Sequence, residues 1–92
     1  MIVFTPEAKK EILRTFSAPG IPDGYALRVG MKGGACSGSY LLGLDKASDH
    51  DEVYEIEGVV VVIDRRHLMY VIGTKIDYTQ TDAGTGFVIM KE

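Results

Sequence analysis

Ninety-two residues, 46% hydrophobic and 25% charged with a net charge of −3, describe one ordinary globular domain spanning residues 1–92. The charges are scattered, and Arg65-Arg66-His67 is the nearest approach to a basic cluster, which excludes a general nucleic-acid binder. No apolar stretch nears the roughly 20 residues of a membrane helix, and Met1-Ile2-Val3-Phe4-Thr5-Pro6-Glu7 lacks the basic flank and apolar core of a signal peptide, so the expected location is the cytoplasm.

Ile2 to Phe4 read as a short strand, and Thr5-Pro6-Glu7 as a helix start, with Thr5 as N-cap, Pro6 in the first turn and an acid beside it. Ala8, Ile12 and Phe16, with Leu13 beside them, then recur at helical spacing and should form the buried face of a helix ending by Ser17. Pro19-Gly20 and Pro22-Asp23-Gly24 mark a loop. Residues 25–31 alternate as a half-buried strand with Tyr25, Leu27, Val29 and Met31 on one face.

A glycine-rich loop follows, Gly33-Gly34-Ala35-Cys36-Ser37-Gly38-Ser39, and after it an apolar strand from Tyr40 to Leu44. Asp45 to Glu52 reads as a solvated connection. Val53–Ile56 and Val59–Ile63 flank Glu57-Gly58 as a hairpin, in which Gly58 supplies the positive φ of a tight turn. The β-branched run after it, Val59 to Ile63, predicts a strand covered on both faces and hence central in its sheet. Asp64 offers a second N-cap for a short helix over 65–72 with Leu68, Met69 and Val71 as its apolar residues and Gly73 as its stop. Thr74–Thr79 and Phe87–Met90 are the last strands, separated by a turn over 82–86. The order lacks the strand–helix alternation of parallel α/β folds, and the expected class is α+β with a mainly antiparallel, sandwich-like or barrel-like arrangement of strands.

Cys36 is the single cysteine of these residues, so no internal disulfide or chelate of two thiols can come from one copy. From its surroundings three roles stay open: metal or cluster ligand, reactive thiol, or incidental turn residue. The frame Gly33 to Ser39 is not a phosphate loop, because Ser39 stands where the lysine must be. A cysteine phosphatase is excluded as well, since no cation follows the thiol within the loop. His50, among Asp49, Asp51 and Glu52, reads as part of a charged surface loop rather than a metal site, and Asp64 and Asp77 as a cap and a strand-edge residue. His67 reads as a structural residue of the capped short helix, with a minor role as nitrogen ligand open.

Five segments in order resemble the HesB/IscA family of A-type iron-sulfur carriers: Thr5-Pro6-Glu7-Ala8; Leu27-Arg28-Val29-Gly30 through Cys36-Ser37-Gly38; Tyr54 through Asp64; Leu68 through Tyr78; and Gly86-Phe87-Val88-Ile89. The resemblance implies the HesB-like fold and a non-enzymatic role in iron-sulfur cluster biogenesis, with assembly or acceptor proteins as partners and a homo-oligomer, commonly a dimer. In that family the Cys-Ser-Gly cysteine and two from a Cys-Gly-Cys tail hold iron or a cluster, whereas this sequence ends Met90-Lys91-Glu92 and only Cys36 has a counterpart. The loop cysteine is also followed here by Ser39-Tyr40-Leu41 rather than by the family's aliphatic residue and then tyrosine. The expectation is a degenerate carrier with weak or partner-completed binding of iron or an iron-sulfur cluster through Cys36, His67 contributing at most in a minor way. The alternatives are a metal-free structural or protein-interaction domain that kept the fold, and a redox-responsive thiol protein.

Overall fold

The computed structural model describes residues 1–32 and 39–92. Two compact units divide the chain, one made of Met1–Ile21 and Gly73–Glu92 and the other of Pro22–Ile72.

In the first unit, strand β1 (Val3–Phe4) leads into helix α1 (Pro6–Phe16). Thr5 caps the helix as its sequence position predicts, its Oγ1 accepting the Ala8 N–H at 3.1 Å. The same hydroxyl donates to Asp77 Oδ1 at 2.7 Å, which ties the helix start to strand β6 (Thr74–Thr81). Ala8 and Ile12 are buried while Leu13 is exposed, so the apolar stripe of α1 is narrower than expected. α1 packs on β6, the middle strand of a sheet ordered β1-β6-β7, with β7 spanning Gly84–Lys91. β1 runs parallel and β7 antiparallel to β6. Both strands of the β6–β7 hairpin are longer than hydropathy indicates. Polar Gln80 and Thr81 pair with Thr85 and Gly84, and Thr81 Oγ1 fastens the turn by donating to Gly84 O and accepting from Ala83 N.

The second unit holds β2 (Ala26–Lys32), β3 (Ser39–Asp45), β4 (Asp51–Ile56) and β5 (Val59–Asp64) in the order β3-β2-β5-β4. β2–β3 and β4–β5 are antiparallel, whereas β2–β5 is parallel. The β-branched run is an interior strand, as its composition predicts. Adjacent Val61 and Val62 point to opposite faces and are both essentially inaccessible, so both faces are covered there, although Val60 near the hairpin is 44% exposed. Glu57 and Gly58 both take positive φ, 51° and 84°, which is the twist-matched two-residue turn.

Asp64 Oδ1 accepts the Arg66 N–H and opens a 3-10 turn, Arg65–His67, that continues as helix α2, Leu68–Val71. The expected helix is thus half 3-10, and of its apolar residues Val71 alone is buried, with Met69 74% exposed. Gly73, whose φ is 83°, ends the segment.

The class is α+β and mainly antiparallel, as expected. The barrel-like element of that expectation is corrected: among the described residues both sheets are open, with β1, β7, β3 and β4 as edges. One further correction concerns the polar connection before β4. Asp51 is not solvated but begins that strand with its side chain only 1% exposed.

Candidate functional site

Cys36 itself, with the rest of residues 33–38, lies outside the described residues. The stems on either side of it are well defined. β2 and β3 stay in register to the rung Lys32–Ser39, with Met31 opposite Tyr40 one rung earlier.

Two residues of the 3-10 turn and α2 reach this rung. His67 Nδ1 accepts the Met31 backbone N–H at 3.3 Å, and Tyr40 Oη donates to the Tyr70 carbonyl at 3.4 Å. Gly30 allows the first contact, because a Cβ there would stand 3.1 Å from His67 Nδ1. With an amide donating to Nδ1, the neutral ring carries its proton on Nε2. Neither nitrogen then offers a free lone pair, so His67 must release Met31 before it can ligate a metal. His67 therefore sits close to the stem that leads to Cys36, and its lone pair is already in use.

His50 is placed differently. Its neighbour Asp51 turns inward, and its own carbonyl accepts the Arg65 N–H at 3.0 Å. Among the described residues, no group of three or more His, Cys, Asp or Glu side chains is arranged to hold a metal ion. Asp64 is engaged by Arg66, whose guanidinium and backbone N–H hold its carboxyl well below the ordinary carboxylate range, and Asp77 receives Thr5 Oγ1 and the Tyr78 N–H. Both act as capping and anchoring groups rather than as acid–base catalysts.

Sequence reasoning missed a network on β2. Arg28 forms a fork with Asp51, donating to Oδ1 at 2.8 Å and to Oδ2 at 2.6 Å, and it also reaches Asp45 Oδ2 at 2.7 Å and the Lys46 carbonyl at 3.3 Å. Asp51 Oδ2 further accepts Ser48 N and Oγ. The guanidinium fork holds the Asp51 carboxyl well below its usual range, against the opposing effect of burial. A signal was present in the alternation of β2, where the nearest neighbours of Arg28 on its own face are Ala26 and Gly30, leaving room for a long side chain to lie across the sheet.

A three-stranded sheet that carries α1, and an open four-stranded sheet with the single thiol of the sequence between β2 and β3, define a small α+β protein. The family model for iron-sulphur cluster biosynthesis matches residues 1–91, and the chain belongs to that family. It is 44% identical over 66 residues to the iron-sulfur cluster insertion protein ErpA of Xylella fastidiosa, a match covering 70% of this chain and 52% of that protein. The chain thus spans about half the length of such curated relatives. A solution NMR structure of a protein from Aquifex aeolicus, 34% identical, superposes with a TM-score of 0.70 over 99% of this chain and 91% of the other. The crystal structure of IscA with its 2Fe-2S cluster shares the fold, with a TM-score of 0.73 over 99% of this chain and 82% of that one, at 22% identity.

Proposed function

We propose that this protein serves iron-sulfur cluster biogenesis as a carrier, its two units acting as one domain, with iron or an iron-sulfur cluster as cargo held through the Cys36 thiolate. The observation that carries this reading is the family match over residues 1–91 together with the position of the single thiol in the β2–β3 loop. The described residues form no metal site of their own, and one thiol per copy supplies two of the four ligands a 2Fe-2S cluster takes, even in a dimer. The remaining ligands come from outside these residues, from a small thiol, an assembly protein or an acceptor. His67 joins as a nitrogen ligand only when it lets go of Met31. No catalytic step is assigned to the protein, and the cytoplasm is its proposed location.

Anaerobic reconstitution with iron and sulfide, with and without glutathione, tests the reading. Wild type with glutathione should develop visible charge-transfer bands that Cys36→Ser lacks. Equal absence of bands in both proteins under both conditions removes the carrier reading and leaves a metal-free interaction domain.

A further inference from the structure

The rung formed by Met31 and Tyr40 is held in an unusual way. On one side of β2 the pairing with β3 is continuous from Ala26 to Lys32. On the other side the parallel pairing with β5 joins Leu27 to Val61 and Arg28 to Val62. Continued at that register it would bring Met31 opposite Arg65, but β5 has ended at Asp64 and the chain has entered its 3-10 turn. β2 therefore outruns its neighbour, and among the described residues no strand is paired with its last residues on that side. An unpaired amide there is costly unless a side chain or water takes it. His67 Nδ1 takes it, from a turn that Asp64 caps, over Gly30, where an added Cβ would stand 3.1 Å from Nδ1 and press on the ring. Across the same rung, Tyr40 Oη reaches Tyr70 O, three residues further along the same short segment.

We propose that the Arg65–Val71 segment is a clamp on the stems of the cysteine loop. His67 on that segment and Tyr40 on the β3 stem are the two positioning residues, and Gly30 is the seat that lets the imidazole close on β2. His67 then serves Cys36 as an acceptor that fixes the strand five positions before it, with Nδ1 occupied by the Met31 N–H. This role rests on the reading that Cys36 is the working thiol, but its physical content does not depend on cargo. An acceptor is what position 67 requires, so asparagine, whose Oδ1 falls near the place of Nδ1, should substitute for histidine where leucine cannot. A metal ligand at position 67 would fail in both variants alike.

The experiment uses the metal-free full chain labelled with 15N, following amide exchange by NMR together with the rate of Cys36 alkylation by iodoacetamide. In His67→Leu the Met31 amide should exchange about tenfold faster while Val29 and Val61 stay within twofold of wild type, the size expected for one lost hydrogen bond at a strand end. Cys36 alkylation should rise at least twofold as the stem loosens. His67→Asn should return both rates to within twofold of wild type. Unchanged Met31 exchange in His67→Leu, a uniform rise throughout β2, or an unchanged alkylation rate overturns the clamp. Tyr40→Phe, which keeps the ring and loses only the hydroxyl, carries the same test from the other stem if His67→Leu does not fold. About twofold faster alkylation is expected there, and no change refutes the proposal. Reconstitution that still depends on Cys36 while these rates do not move would leave the carrier reading standing without the clamp. Moved rates with no Cys36-dependent bands would do the reverse.

Discussion

Replacing Arg28 by methionine should strongly destabilise the second unit's sheet. The substitution keeps an unbranched apolar stem along the sheet but removes a fork of two charge-assisted bonds to Asp51, a third to Asp45 and a weaker one to Lys46 O. Asp51, its side chain 1% exposed, is left as a buried carboxylate with only Ser48 N and Oγ as donors. Breaking a fully buried pair from one side costs about 3–5 kcal/mol. Arg28 is 19% exposed, and Ser48 still solvates one oxygen, which places the expected cost near the lower end, about 3 kcal/mol. The exposed Asp45 contact, screened by solvent, adds little to this. Against the roughly 5–14 kcal/mol typical of a chain this size, that is a large fraction. Urea unfolding followed by circular dichroism at pH 7 reads it directly. Adding Asp51→Asn to Arg28→Met should recover at least about 1 kcal/mol, because it removes the unpaired charge and keeps an acceptor for Ser48. The sign with pH follows from the lowered Asp51 pKa. The ion pair stabilises in full above the unfolded carboxylate value of about 4, and its contribution is lost as pH falls toward the lower native value, so the gap between wild type and Arg28→Met should narrow progressively as pH falls below about 4. A cost under about 1 kcal/mol, a double variant no better than the single, or a gap that widens on acidification would refute the account.

Thr5→Ala should lose about 1.5–2 kcal/mol in the same assay, since it removes both the α1 cap and the bond to Asp77, while Thr5→Ser should keep most of it. Gly58→Ala should lose about 1–2 kcal/mol from local backbone strain alone, because its φ is 84° and no more distant atom lies within 4 Å of an added Cβ; a neutral result would mean that the turn changes type.

Local chemistry made most of the fold legible. Thr5-Pro6 announces α1 because the cap and the proline act within one turn, and Glu57-Gly58 announces the hairpin because only particular residues tolerate its φ values. The run Val59–Ile63 shows its interior position because both faces of the strand must be apolar to be covered. What stayed hidden depended on register between distant segments. Asp51 looks like one acid in a polar stretch, and its burial follows from an arginine 23 positions earlier that the parallel β2–β5 pairing brings alongside. The polar ends of β6 and β7 carry no hydropathic signal, and their pairing is propagated from the turn rather than driven by burial. The candidate site divides in the same way. That Cys36 lies between two strands is legible from composition, whereas His67 as the acceptor for Met31 is visible only once β5 is known to stop short of β2.

Strand β2 therefore changes its mode of support along its length. At Leu27 and Arg28 it is an interior strand, bonded on both sides by backbone and packed among residues that are nearly inaccessible. From Gly30 onward, support on one side passes from backbone to a side chain. Backbone ladders fix a strand whatever its sequence, but a side-chain acceptor fixes it only if that residue is present and in the right protonation state. The carrier reading places the working thiol just beyond this change of support, so substitutions at Leu27 or Val29 should act mainly on stability. Substitutions at Gly30, Tyr40 or His67 should act mainly on how the thiol is presented.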